Sequence, residues 1–187
     1  MKLLAGVRGM AVHRFRQICI IGAECTGKST LVQQLIAQTG GQGVPELLRD
    51  WCGQHGRTPQ VQEQAALMQA QIDAENQALA LMDKGQGAIL YSDCGPLLTA
   101  VYSQCYFDDS RLLAPAHAHH RRYDQTLWLQ PDLPWVPDGL QRDGLAMQAE
   151  VHRVLGQQLA QQSSVVCVSG VGPARWQAAM FALHHET

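Results

Sequence analysis

The stretch Gly22-Ala23-Glu24-Cys25-Thr26-Gly27-Lys28-Ser29-Thr30 constrains this chain of 187 residues more than any other. It follows directly on the apolar run Ile18-Cys19-Ile20-Ile21. A glycine, four variable residues and Gly-Lys-Ser let a backbone turn successive N–H groups inward around a phosphate. A helix opening near Lys28 then presents its amino end to the same anion. Lys28 adds a positive charge toward the β and γ phosphates, and the Ser29 hydroxyl can ligate Mg²⁺. The expectation is a strand ending at Ile21, a helix from Lys28, and ATP with Mg²⁺ held by residues 22–30. Cys25 is read as pointing away from the phosphate, without a catalytic role.

The rest of the chain supplies the surroundings such a loop needs. Short apolar runs at Gln17–Ile21, up to Val44, at Ala88–Ser92, Thr126–Gln130 and Val165–Ser169 read as strands covered on both faces. Helical stretches lie between them: Lys28–Gln38, Pro59–Asp83, Pro96–Tyr106, Asp109–Arg122, Leu145–Gln162 and Ala174–His185. Strands alternating with helices imply right-handed crossovers and a parallel sheet between two helical layers. The fold expected is α/β, a three-layer sandwich with a five-stranded parallel sheet. Residues 1–16 read as an N-terminal extension and residues 17–187 as one domain. Pro131, Pro134, Pro137 and Gly139 forbid helix or central strand. Residues 131–144 are therefore expected to form a lid loop at a strand's carboxyl end. The glutamines of the long helix (Gln60, Gln62, Gln64, Gln69, Gln71, Gln77) read as an exposed face.

Composition narrows the function classes. The net charge of −2 gives no basic field to recruit nucleic acid or a membrane surface. No apolar segment reaches membrane-spanning length, and Arg8, His13, Arg14 and Arg16 interrupt the apolar opening before a signal core forms. A cytoplasmic protein follows. The six scattered cysteines lack any Cys-x-x-Cys pair and read as reduced, mostly buried thiols. A homo-oligomer is allowed by the sequence and not required by it.

Further nucleotide-protein signals separate motors and switches from other users of such a loop. No Asn-Lys-x-Asp reads guanine, and no strand ends in paired acids. The second strand instead runs into "VPELLRDW", Val44 to Trp51. Glu46 and Asp50 lie four apart, so they share one face if a helix begins here, with Arg49 beside them. Glu46 is either a base within reach of an acceptor hydroxyl or a helix-start acid favoured by the macrodipole. Asp93 is either the Mg²⁺ partner of Ser29 or a helix cap before Pro96. Arg142, past the proline-rich loop, either swings over the phosphates on closure or stays exposed. Trp135 stacks on a base or anchors the loop. Val171 to Trp176, including Arg175, packs adenine or simply starts a helix. His117, His119 and His120 have spacings that could hold a metal, but with no acid or cysteine nearby they read as a solvated helix end.

"VPELLRDW" is similar to the Pro-Glu…Trp segment of deoxyribonucleoside kinases, whose Glu is the general base toward the sugar hydroxyl. A closer resemblance is to the ribosylnicotinamide kinase domain of NadR-type proteins, grouped with AAA-like P-loop domains; thymidylate kinases are more distant. Four segments carry it in order, from about Gln17 to Trp176. Gly22–Ser29 matches the family's Gly-x-Glu-Ser-Ser-Gly-Lys-Ser, and Pro45–Asp50 its Trp-Glu-x-x-Arg-Glu. Ser92-Asp93-Cys94-Gly95 through Thr99 and Tyr102 takes the place of Asp-x-Asp followed by threonines and an aromatic. Pro134 to Arg142 corresponds to Glu-Trp-Val-Asp-Asp-Gly-x-Arg. Gly95 stands where the second acid is expected, Gln141 where the lid arginine is expected with Arg142 following, and Pro45 where an aromatic is expected.

The resemblance implies an ATP-dependent kinase acting on a nucleoside-like alcohol, with ribosylnicotinamide the leading candidate. It assigns Lys28, Glu46 and Arg142 to catalysis, and Glu46, Arg49, Asp50, Asp93 and Trp135 to the acceptor. Ser29 and Asp93 would hold the metal, and Arg175 the nucleotide. The nucleotidyltransferase and DNA-binding parts of full-length NadR proteins are not expected in 187 residues. The other class carried alongside is a nucleotide-binding regulatory module that hydrolyses ATP or GTP slowly and has no small-molecule acceptor.

Overall fold

Alternate residues of the first strand part to opposite faces: Ile18 and Ile20 join one buried cluster, Cys19 and Ile21 another. A strand apolar on both sides must be covered on both sides, and the chain provides helices for each. The computed structural model describes residues 15–82, 89–136 and 144–184. In chain order these form β1 (Arg16–Ile21), α1 (Lys28–Thr39), β2 (Gln42–Val44), α2 (Leu47–His55), α3 (Val61–Leu81) and β3 (Ile89–Asp93). There follow α4 (Pro96–Phe107), α5 (Leu113–His120), β4 (Gln125–Leu129), α6 (Leu145–Leu159), β5 (Val165–Val168) and α7 (Pro173–His184).

The five strands make one sheet in the order β2-β3-β1-β4-β5, every neighbouring pair parallel. The expected α/β three-layer sandwich is therefore the fold observed. Helices α1 and α7 bury Leu31, Leu35 and Ala179 against one face, with Leu127 and Leu129 from β4. Leu97, Leu98 and Val101 of α4 fill the other face, with Val151 and Leu155 of α6. The strand order reverses direction about β1. Crossovers from β1 and β3 leave to opposite sides, which opens a crevice at their carboxyl ends. The phosphate loop and Asp93 are the segments delivered there.

Several local expectations are corrected. β1 begins at Arg16, inside the expected extension. A nine-residue helix, α2, follows Glu46 directly and is capped by Gly56 at φ 64°. Its weak apolar content had left only its first turn legible. α5 starts at Leu113 because Asp109 folds back onto the Arg111 amide and guanidinium, an Asx-type turn that delays the helix. His119 and His120 are 6% and 2% exposed, not solvated. The acid that sequence proximity could not show is Glu75 of α3, whose carboxylate meets His119 Nε2 at 2.7 Å. Gln64 and Gln71 are likewise buried, so the glutamine face is not uniformly exposed. None of the six cysteines is in a disulfide, and Cys19, Cys52 and Cys94 are buried. No described helix is long and apolar enough to cross a membrane.

Candidate active site

The phosphate loop runs between β1 and α1 as its spelling requires. Gly27 has φ 78° and is the residue before α1, a left-handed setting open to glycine at little cost. A Cβ on Gly22 would come within 2.7 Å of the Thr26 hydroxyl and 2.9 Å of the Leu129 carbonyl, so β4 packs directly under the loop. The Ala23 carbonyl accepts from Thr26 Oγ1 at 2.8 Å and from Lys28 Nζ at 2.9 Å. Gln148 of α6 donates to the Glu24 carbonyl at 2.6 Å. Cys25, at φ 56°, sets its Sγ against the Val136 carbonyl at 3.4 Å and the Val136 amide at 3.3 Å.

Lys28 is 7% exposed. Burial alone would lower its pKa, but Cys94, Glu46, Asp93 and Glu24 around it outweigh that and hold the ammonium above its ordinary range. The lysine is therefore charged. Glu46, Asp93 and Cys94 place one ligand atom each within 4.8 Å of one another. Cys94 Sγ also donates to Asp93 Oδ1 at 3.6 Å. Asp93 offers hard carboxylate oxygens of the kind Mg²⁺ takes, and Ser29 is the second residue of α1. Asp93 does not cap the next helix; Gly95 occupies that position, followed by Pro96 at the first helical residue.

Gly95 has a tertiary reason. A Cβ there would lie 2.4 Å from the Tyr123 hydroxyl. Tyr123 is itself fixed, donating to both Glu75 oxygens at 2.8 and 2.9 Å. A side chain at position 95, a second acid included, would have to displace this buried tyrosine.

Glu46 is the residue before α2, in an extended conformation at φ −69° and ψ 104°, and makes no side-chain cap bond. Its carboxylate is thus not spent on its own helix. Gln71 of α3 takes over that task. Its Oε1 accepts from the Leu47 amide at 3.1 Å and its Nε2 donates to the Pro45 carbonyl at 3.2 Å, bracketing Glu46 from both sides. Burial raises the Glu46 pKa; Lys28 and Arg49 pull it down, Asp93 pushes it up, and the net shift is upward. Arg49 favours the ionised form without setting the sign of the net shift. A carboxyl moved up toward neutral is better matched to general-base work than an ordinary one.

A cavity of about 200 Å³ opens beside these groups. Glu24, Lys28, Glu46 and Arg49 line its polar end, and Tyr102, Tyr106, Phe107 and Leu48 its apolar wall. Burial raises the Glu24 pKa, and its Oε2 is buried with no hydrogen-bond partner among the described residues. Asp50 is exposed on α2 and stands outside this cavity. A second, open groove of about 740 Å³ runs on the other side of the loop, past Thr30, Gln34, Leu133, Pro173 and Trp176. Arg175 edges that groove but is 5% exposed, with its donors turned to backbone carbonyls. Trp135 is half-buried and lines neither space. Arg142 lies outside the described residues, as does most of the second half of the expected lid, 137–143.

A model described as an AAA domain matches residues 17–175. The chain belongs to this family. Among solved structures, this AAA domain is similar to a NadR protein in complex with NR, at 23% identity and TM-score 0.77, covering 91% of this chain and 51% of that one. It also resembles a deoxyadenosine kinase from M. mycoides with bound dATP, at 14% identity and TM-score 0.64, covering 91% of this chain and 100% of that one. Thymidylate kinase from Candida albicans follows at 16% identity and TM-score 0.62, with 90% and 89% covered. The shared fold is that of P-loop nucleoside and nucleotide kinases. The chain spans about half the length of the NadR proteins it matches. No curated protein sequence matches it.

Sequence reasoning missed Gln71, Gln64, Cys94, Tyr106 and Phe107. Only Cys94 carried a local signal, as the neighbour of Asp93. The others reach the site from α3 and α4 by packing, and nothing in their own surroundings marks them.

Proposed function

We propose that the protein is an ATP-dependent kinase that transfers the γ-phosphoryl group to a hydroxyl of a nucleoside-like alcohol. The observation that carries this is the acid–cation pairing at one end of an aromatic cavity. Glu46 and Lys28 both line this cavity, and the Lys28 charge favours the ionised form of Glu46. A regulatory switch has no need of an acceptor cavity.

In the proposed reaction the acceptor's ring lies along Tyr102, Tyr106 and Phe107, and its hydroxyl points to Glu46. The Glu46 carboxylate takes the hydroxyl proton as the oxygen attacks the γ-phosphorus, and the bond to the β-phosphate oxygen breaks. Lys28 follows the moving charge. Ser29 and Asp93 would hold Mg²⁺, which neutralises charge on the phosphates when bound. Arg142 remains assigned to the lid by resemblance.

Ribosylnicotinamide is the leading acceptor. An aromatic wall beside two carboxylates, Glu24 and Glu46, favours a ring that carries positive charge, and a similar NadR protein binds NR. The proposal includes a cytoplasmic setting, in keeping with six cysteines of which none is in a disulfide. The test is ATP consumption measured with a panel of nucleosides. ADP release stimulated by one of them, and abolished in Lys28→Ala, is expected. ADP release that is the same with and without every nucleoside would overturn the kinase reading in favour of a nucleotide switch.

A further inference from the structure

Arg175 was a candidate to lie against adenine, yet its surroundings point elsewhere. The guanidinium is buried at 5% exposure, so neither face is open to a base. Its donors fan out to three separate segments. Nε donates to the Gly170 carbonyl at 2.7 Å, Nη2 to the Gln130 carbonyl at 2.8 Å, and Nη1 to the Thr26 carbonyl within the phosphate loop. Its countercharge is Asp132, whose Oδ2 lies 3.4 Å from Nη2 and also accepts the Gly170 amide at 2.6 Å. Leu133, next along, covers the loop so closely that a Cβ on Gly27 would come within 2.9 Å of its Cδ1.

The peptide joining Thr26 to Gly27 is trans, so its carbonyl and its N–H point in opposite directions. Gripping the Thr26 carbonyl from behind turns the Gly27 amide toward the front, where the phosphates are expected. We propose that Arg175 is a positioning residue that aims the Gly27 amide at the nucleotide phosphates and ties that setting to the root of the lid at Gln130–Leu133. The proposal rests on the phosphate-loop reading above. The element order supports it: the β4–α6 connection, the β5–α7 turn and the phosphate loop meet at this one side chain. Lysine cannot replace it, since a single ammonium lacks the planar fork that reaches three carbonyls at once.

The two roles separate with a ligand that has no base. Binding of ADP and of inorganic tripolyphosphate, both with Mg²⁺, is measured by calorimetry on wild type, Arg175→Met, Arg175→Lys and Asp132→Asn. Thermal melts select the variants that fold. Loss of a charged hydrogen bond behind the loop is expected to weaken both ligands by about tenfold or more in Arg175→Met. Arg175→Lys, which keeps the charge, should recover only part of that loss for both ligands. Asp132→Asn, on a more exposed side chain, should show a smaller loss of the same kind. Tripolyphosphate binding within about twofold of wild type in the folded variants, whether or not ADP binding falls, would overturn the proposal. A wild type that shows this pattern but phosphorylates no nucleoside would sink the kinase reading and leave Arg175's role standing.

Discussion

In the proposed reaction, Glu46 is the residue on which the chemistry turns. Its carboxylate is free of its own helix and raised by burial, while Lys28 and Arg49 keep the ionised form within reach. Glu46→Gln removes the proton acceptor at constant shape. It should lower kcat by about 10² to 10⁴ while leaving the Kd for ATP within about twofold. Asp93→Asn should instead raise the Mg²⁺ concentration needed for half-maximal rate. Full kcat in Glu46→Gln, with loss in Asp93→Asn alone, would move the base to Asp93. Gly95 offers a second test, of packing. A Cβ there must displace the Tyr123 hydroxyl, which lies 2.4 Å away and is locked onto Glu75. Gly95→Ala should therefore cost about 1–3 kcal/mol in urea unfolding, as overpacked sites do. A variant as stable as wild type would show that Tyr123 can swing aside.

At the scale of elements, two helices prepare what a single residue cannot. The first amides of α2 lack intrahelical partners, as in every helix, and the Glu46 side chain does not supply one. Gln71 of α3 satisfies the Leu47 amide instead, leaving the carboxylate available. Gln71→Leu should lower kcat about tenfold through misplacement of Glu46, consistent with losing hydrogen bonds worth roughly 1–1.5 kcal/mol. Because the phosphate loop is untouched, the KM for ATP should hold; a raised KM for ATP with unchanged kcat would contradict this. The β4–α6 connection is the other moving candidate. Arg175 and Asp132 anchor its start, and Cys25 contacts Val136 farther along. Nucleotide with Mg²⁺ should slow amide exchange at 132–136 and near Gly144. Exchange that is identical with and without nucleotide would remove the lid from the mechanism.

At the scale of the whole molecule, one source of acid sensitivity is a histidine outside the site. His120 of α5 is 2% exposed, and its Nε2 meets Thr126 Oγ1 of β4 at 2.9 Å. Burial first, then His117 and His119, push its pKa down to about 3. An unfolded histidine titrates near 6.5, so between these values the unfolded chain binds the extra proton. Stability is therefore present above about pH 6.5 and lost as the pH falls toward 3. This one group accounts for about 2 kcal/mol between pH 6.5 and 5. Melts of His120→Gln should show a flatter decline across that window than wild type. Parallel curves would place the sensitivity elsewhere. The sequence by itself determined the sheet, the phosphate loop and the layers, because each rests on local rules. Apolar runs need cover on both faces, and glycines at 22 and 27 with Lys28 and Ser29 suit one loop geometry. It also placed Glu46 and Asp93 at strand ends, since a strand's end is a local property. That Glu46 leaves its own helix uncapped, with Gln71 of α3 serving the Leu47 amide, could not be read from the segment alone. The burial of His119 against Glu75, the crowding of position 95 by Tyr123 and the turning of the Arg175 donors to backbone carbonyls were decided only in three dimensions. Each depends on side chains dozens of residues apart, whose meeting is set by how helices pack over the sheet and leaves no periodic mark in either segment.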